Sequence, residues 1–137
     1  MRAFRGKITA LMAIGAAVIS AGCDYDTLTM RVKRTAPEQW YTWACDVIAY
    51  SKTNATAMPR SQWPTFVKEV TAGIDGPWHL VVQQQSPSSE PYVMLMNPGG
   101  FQGMGVDFGS SSSFTETETE GNKIVRIHPG VYVHRTM

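Results

Sequence analysis

The sequence predicts an α+β fold: two helices packed on one face of a small, mostly antiparallel sheet of about four or five strands. Three observations carry this expectation. Two segments repeat apolar residues at helical spacing, and several short runs alternate apolar and polar residues at strand spacing. The chain has 137 residues, enough for one domain and too few for two comfortable ones.

Along the chain, "TLTMRV" (Thr27 to Val32) alternates Leu28, Met30 and Val32 with Thr27, Thr29 and Arg31. Period two reads as a half-buried strand. Residues 35–53 read as the first helix, with Thr35 as N-cap, Pro37 in the first turn and Glu38 at the positive end. Trp40, Trp43, Ala44, Val47, Ile48 and Ser51 form one continuous stripe on it. Residues 61–72 read as a shorter second helix, with Trp63, Phe66, Val67 and Val70 on its apolar side and Gly73 past its end. "WHLVVQQQ" (Trp78 to Gln85) and "YVMLMN" (Tyr92 to Asn97) read as a hairpin across the proline-bounded turn 86–91. "MGVDFG" (Met104 to Gly109) is a third strand. "KIVRIHPGVYVHR" (Lys123 to Arg135) closes the sheet, with Pro129-Gly130 as a turn or kink. A loop of two residues there would put the faces of its two halves out of phase. At helical spacing the four tryptophans read as core.

Residues 97–121 stand apart. They are rich in Gly, Ser, Thr and Glu, with Phe114 the only large apolar residue of "SSSSFTETETE". This segment reads as flexible, and 110–121 as an exposed loop or edge hairpin. The alternating Glu116, Glu118 and Glu120 read as solvated. Loops on rigid scaffolds often carry binding, so Phe101, Gln102, Met104 and Phe114 are the candidate contact residues.

Charge is close to balanced, with 12 basic and 11 acidic residues, but it is unevenly placed. Arg2, Arg5 and Lys7 precede the apolar run Ile8 to Ile19, and small residues follow it. That is the layout of a secretory signal. The run falls short of the roughly 20 apolar residues that span a bilayer. The remainder is slightly acidic and has no basic stripe, which excludes a nucleic-acid partner.

The end of this leader resembles a bacterial lipoprotein signal peptide, whose pattern closes on small residues followed directly by Cys. Ala21-Gly22-Cys23 matches the last three positions, while Ser20 stands where the family most often has Leu. The resemblance covers residues 1–23 only. It implies a signal at 1–22 and lipidation of Cys23; the single mature domain over 23–137 is read from chain length alone. That lipid makes the membrane a partner, with the domain facing the periplasm from the inner or outer membrane. Asp24 matches the position that in the family marks inner-membrane retention.

No motif points to catalysis. "GGFQGMG" (Gly99 to Gly105) lacks the Lys and the following helix of a phosphate loop. Cys45 lies mid-helix among apolar residues, where a lone Cys acts as a small hydrophobe rather than a nucleophile. The expectation is an exported, lipid-anchored envelope protein with a binding or structural role, no cofactor, and an envelope or cell-surface component as partner. Two other readings stay open. One is a small exported hydrolase or metal-binding protein using His79, Asp107, His128 and His134. The other is a soluble exported protein with a Cys23–Cys45 disulfide, from the even cysteine pair.

Overall fold

Pro at the first turn and an apolar stripe five residues deep set the central helix. The computed structural model describes residues 20–98 and 103–136, with side chains from Asp24 onward. It contains α1 (Ser20–Arg34), α2 (Pro37–Thr53), a short 3-10 turn (Arg60–Gln62) and α3 (Thr65–Thr71). Five strands follow: β1 (His79–Gln83), β2 (Tyr92–Asn97), β3 (Met104–Phe108), β4 (Asn122–His128) and β5 (Val131–Thr136). They form one antiparallel sheet in the order β1-β2-β3-β5-β4. The α+β class is as the sequence predicts.

One segment departs from expectation. Thr27 to Val32 is helical, inside α1. The alternation of Leu28, Met30 and Val32 also contains a helical pair four apart, and that pair decides the structure. Leu28 and Val32 are fully buried, whereas Met30 is half exposed. Thr35 does not open α2 either. Its hydroxyl donates back to the Arg31 carbonyl, closing α1, and Ala36 holds the N-cap position of α2 without a side-chain hydrogen bond.

The α1 helix reaches α3 through Arg31, whose Nη1 donates to the carbonyls of Val70 and Ala72 at 3.1 and 2.6 Å. These carbonyls lie at the end of α3, the negative end of its dipole. A seven-residue helix cannot hold itself in water, so this clamp is part of why α3 exists. Arg31→Ala should therefore lower stability by about 1–2 kcal/mol. The check is the urea midpoint, with Arg31→Lys recovering only part of the loss.

The helices form one layer. The stripe of α2 lies over β1, β2 and β3, while α1 lies over β4 and β5. Leu80, Val93, Leu95, Val106, Phe108, Val131 and Val133 meet them from the sheet. Four aromatic rings knit the layers. Trp40 of α2 sits edge-on to Phe66 and to Phe108, both at 5.0 Å, and Trp43 stacks on Phe108 at 5.3 Å. All four tryptophans are buried, as their spacing predicts.

The Pro129-Gly130 turn has two residues, the length that would put the faces of β4 and β5 out of phase. A bulge repairs it. Arg126 pairs with Tyr132 but His128 pairs with Val131, so Ile127 is the extra residue. Val125 thereby falls opposite Val133, and apolar meets apolar. Gly130 has φ +78, which an L side chain rarely adopts, and a Cβ there would lie 2.3 Å from the Ser111 carbonyl oxygen. The Gly130 carbonyl accepts the amide of Gly109 at 3.0 Å. Residues 109–121 thus leave β3 pinned against this turn. Among the described residues no helix is long and apolar enough to cross a membrane.

Candidate functional site

Strand alternation sends every second residue of the sheet away from the helices. The cross-strand register places Met94, Asp107 and Tyr132 in one row of this second face, and Met96, Gly105, His134 and Ile124 in the next. No helix covers these rows. Residues 109–121 do instead, crossing the face as an irregular strap.

Two strap residues hold it down. Phe114 stacks on Tyr92 at 4.5 Å and meets Tyr132 edge-on at 5.6 Å, and the Tyr132 hydroxyl donates to the Phe114 carbonyl at 3.4 Å. Two residues on, Glu116 turns in and its carboxyl lies beside that of Asp107. The segment is otherwise the exposed loop that its composition predicts. It forms no strand, as expected of Thr-Glu alternation with little to bury, but Phe114 and Glu116 are half buried. Glu118 and Glu120 are exposed, as predicted.

Asp107 and His134 are diagonal neighbours on adjacent strands. Asp107 Oδ1 lies 2.9 Å from His134 Nδ1, with the carboxylate only 1% exposed. The approach is off the N–H axis, so neither atom makes a hydrogen bond despite the short distance. Glu116 Oε2 is likewise buried without a hydrogen-bond partner. Gly105 makes room for the imidazole. A Cβ at 105 would lie 2.7 Å from His134 Cε1 and 2.4 Å from the Leu95 carbonyl oxygen.

Burial governs the charges of this trio. It pushes Asp107 up to about 6, against a lowering by the Glu116 carboxyl beside it. It pushes Glu116 up to about 9, helped by the Asp107 carboxyl and its charge. It pulls His134 below its ordinary value, opposed by Glu116. Near neutral pH the cluster holds one ionised carboxylate, one protonated carboxyl and a neutral imidazole.

This has a consequence for stability. Glu116 keeps its proton up to about 9 when folded, but loses it near 4.5 when unfolded. The folded state binds the extra proton between those values, so stability falls as pH rises through them. Asp107 acts in the same direction between 3.8 and about 6, and His134 in the opposite direction only below 6.5. Above 6.5 the slope belongs to Glu116 among these three. The wild-type urea midpoint should fall between about pH 7 and pH 9, and Glu116→Gln should flatten it. An unchanged slope in that variant would show that Glu116 ionises freely.

The remaining candidates lie elsewhere. Of the metal quartet the structure brings together only Asp107 and His134. His79 is exposed on edge strand β1, and His128 Nε2 sits 3.2 Å from the Val32 carbonyl on the helix side. Among the described residues no group of three His, Cys, Asp or Glu side chains is arranged to hold a metal. Met104 packs against the hydrophobic core from β3. Phe101 and Gln102 lie outside the described residues, as do the leader at 1–19 and the Cys23 side chain. Cys45 is a free thiol on the exposed side of α2, not the buried hydrophobe expected.

The strap and the sheet enclose a groove of about 500 Å³, with Tyr92, Met94, Met96 and Ile124 as apolar wall and Asp107, Glu116 and His134 as polar floor. Asp107 and His134 are legible as chemistry-bearing residues. Glu116 is not, and its one sequence signal is the lone Phe114 two residues before it. No protein-family model, no curated protein and no solved structure matches the chain.

Proposed function

We propose that this chain is an exported envelope protein, tethered to the membrane by a lipid on Cys23, whose non-catalytic binding role is carried by the open face of the sheet. The observation behind the binding role is the asymmetry of the sheet. One face is sealed by α1 and α2, while the other keeps a walled groove with ionisable groups at its floor. Concave sites with convergent polar groups are where ligands bind. The tether suits this arrangement. Cys23 belongs to α1, which packs on the opposite face, so anchoring there leaves the groove unobstructed.

The lipid tether rests on the leader pattern and is tested by mass. The mature N-terminus from a bacterial host should begin at Cys23 with a diacylglyceryl adduct, and Cys23→Ser should move the protein from the membrane to the soluble fraction. An unmodified Cys23 in a membrane-free wild-type protein would sink the tether. The binding role is tested separately: Ile124→Asp or Met96→Asp in the groove should abolish capture of the envelope partner by cross-linking, while Met30→Asp on exposed α1 should not.

A further inference from the structure

We propose that the groove takes a primary ammonium group carried on an apolar chain, with Asp107 as its counter-charge. This rests on the reading of the open face as the binding surface and names the ligand class for it.

Three polar atoms of the floor are left without partners. Asp107 Oδ1, Glu116 Oε2 and His134 Nδ1 are all buried, and none has a hydrogen bond. Asp107 and His134 face each other at 2.9 Å in an off-axis contact that satisfies neither. Asp107 Oδ1 is a carboxylate acceptor and the Glu116 carboxyl lies beside it, so oxygens of two side chains converge on the floor. An ammonium offers three donors from one atom and one positive charge. A guanidinium instead wants two parallel oxygens of one carboxylate. Among the described residues no Lys or Arg lines the groove, so an anionic ligand would meet a carboxylate uncompensated. Among the described residues the ligands for a metal do not assemble.

The wall fits the rest of such a ligand. Met94 and Met96 are unbranched and adaptable, and with Ile124 they line the route to the floor. The three unpartnered atoms are shut off from bulk water, and Glu116 sits on strap residues that no strand ladder holds. A small outward shift of the strap admits the ammonium between them.

The test uses the full chain in a neutral detergent, labelled with carbon-13 at the methyl groups of its eight methionines. Met94→Leu and Met96→Leu assign the two groove signals. The probe is n-butylammonium, with 1-butanol as its uncharged control. Butylammonium should shift the Met94 and Met96 signals saturably, more strongly than butanol does. Asp107→Asn should weaken it at least tenfold, about 1.4 kcal/mol. Affinity should also fall as pH is lowered through about 6, where Asp107 takes up its proton; Glu116, His134 and Tyr92 are the titratable groups facing it. Because Asp107→Asn changes a buried group, Met94→Lys is the second variant. Position 94 is directly opposite Asp107, so its own ammonium should occupy the site and abolish the Met96 response. Equal responses to both probes, or to butylammonium in wild type and Asp107→Asn, would overturn the ammonium assignment while leaving the groove as a binding face. Silence with both probes would overturn the assignment and the groove together. Undiminished butylammonium binding in a folded Met94→Lys would also overturn it.

Discussion

Trp40→Ala should cost about 3–5 kcal/mol, enough to unfold a domain of ordinary stability. Trp40 is fully buried and is the largest side chain to be so. Its ring touches three others from three parts of the chain: Trp43 on α2, Phe66 on α3 and Phe108 on β3. Truncation removes the contacts that hold the helix layer to the sheet and leaves a cavity whose walls are themselves rigid rings. Such walls collapse poorly, which puts the loss at the upper end of the range. Trp40→Phe separates packing from polarity. The indole Nε1 has no hydrogen-bond partner, so phenylalanine forfeits volume but no hydrogen bond. It should retain most of the stability that alanine loses. Urea denaturation of the three proteins side by side is the measurement, and a Phe variant as unstable as the Ala variant would show that Nε1 is bonded after all.

Gly105→Ala should cost about 2–3 kcal/mol although it adds one methyl group. The new Cβ would meet a backbone oxygen, Leu95 O, at 2.4 Å and the His134 ring at 2.7 Å. The ring can swing away but the strand cannot. Relief of the first contact requires β2 and β3 to part where they pair, since Gly105 is opposite Met96 and next to the row of Leu95. His134→Ala in the same chain removes the ring contact only, so the double variant should recover part of the loss and no more. That partial coupling distinguishes a backbone clash from a side-chain one. Full rescue would place the whole strain in the imidazole.

How far these features were legible depends on the range over which each is encoded. The α2 stripe from Trp40 to Ile48 spans about two and a half turns, and nothing but a helix gathers it on one face. The β1–β2 hairpin announces itself through the prolines and serines between two apolar runs. Residues 27–32 are too few to separate period two from period four, because Leu28 and Val32 satisfy both. What decides between them is distant: the end of α3, reached by Arg31, and the strands β4 and β5 beneath. The site is less legible for the same reason. Asp107 and His134 meet only because β5 enters between β3 and β4, and no local pattern states that order. Glu116 reads as solvated within a run of Ser, Thr and Glu, and becomes half buried because Phe114 finds two tyrosines to lie between.

The position of β5 has a consequence for association. Until β4 and β5 arrive as a hairpin, β3 presents an open edge, and the hairpin's only covalent link to it is the strap 109–121. A hairpin on such a tether can dock on the β3 of another copy and restore every ladder contact it makes at home. At high concentration, refolding should therefore yield exchanged dimers alongside monomers, and shortening the strap should shift the mixture towards them.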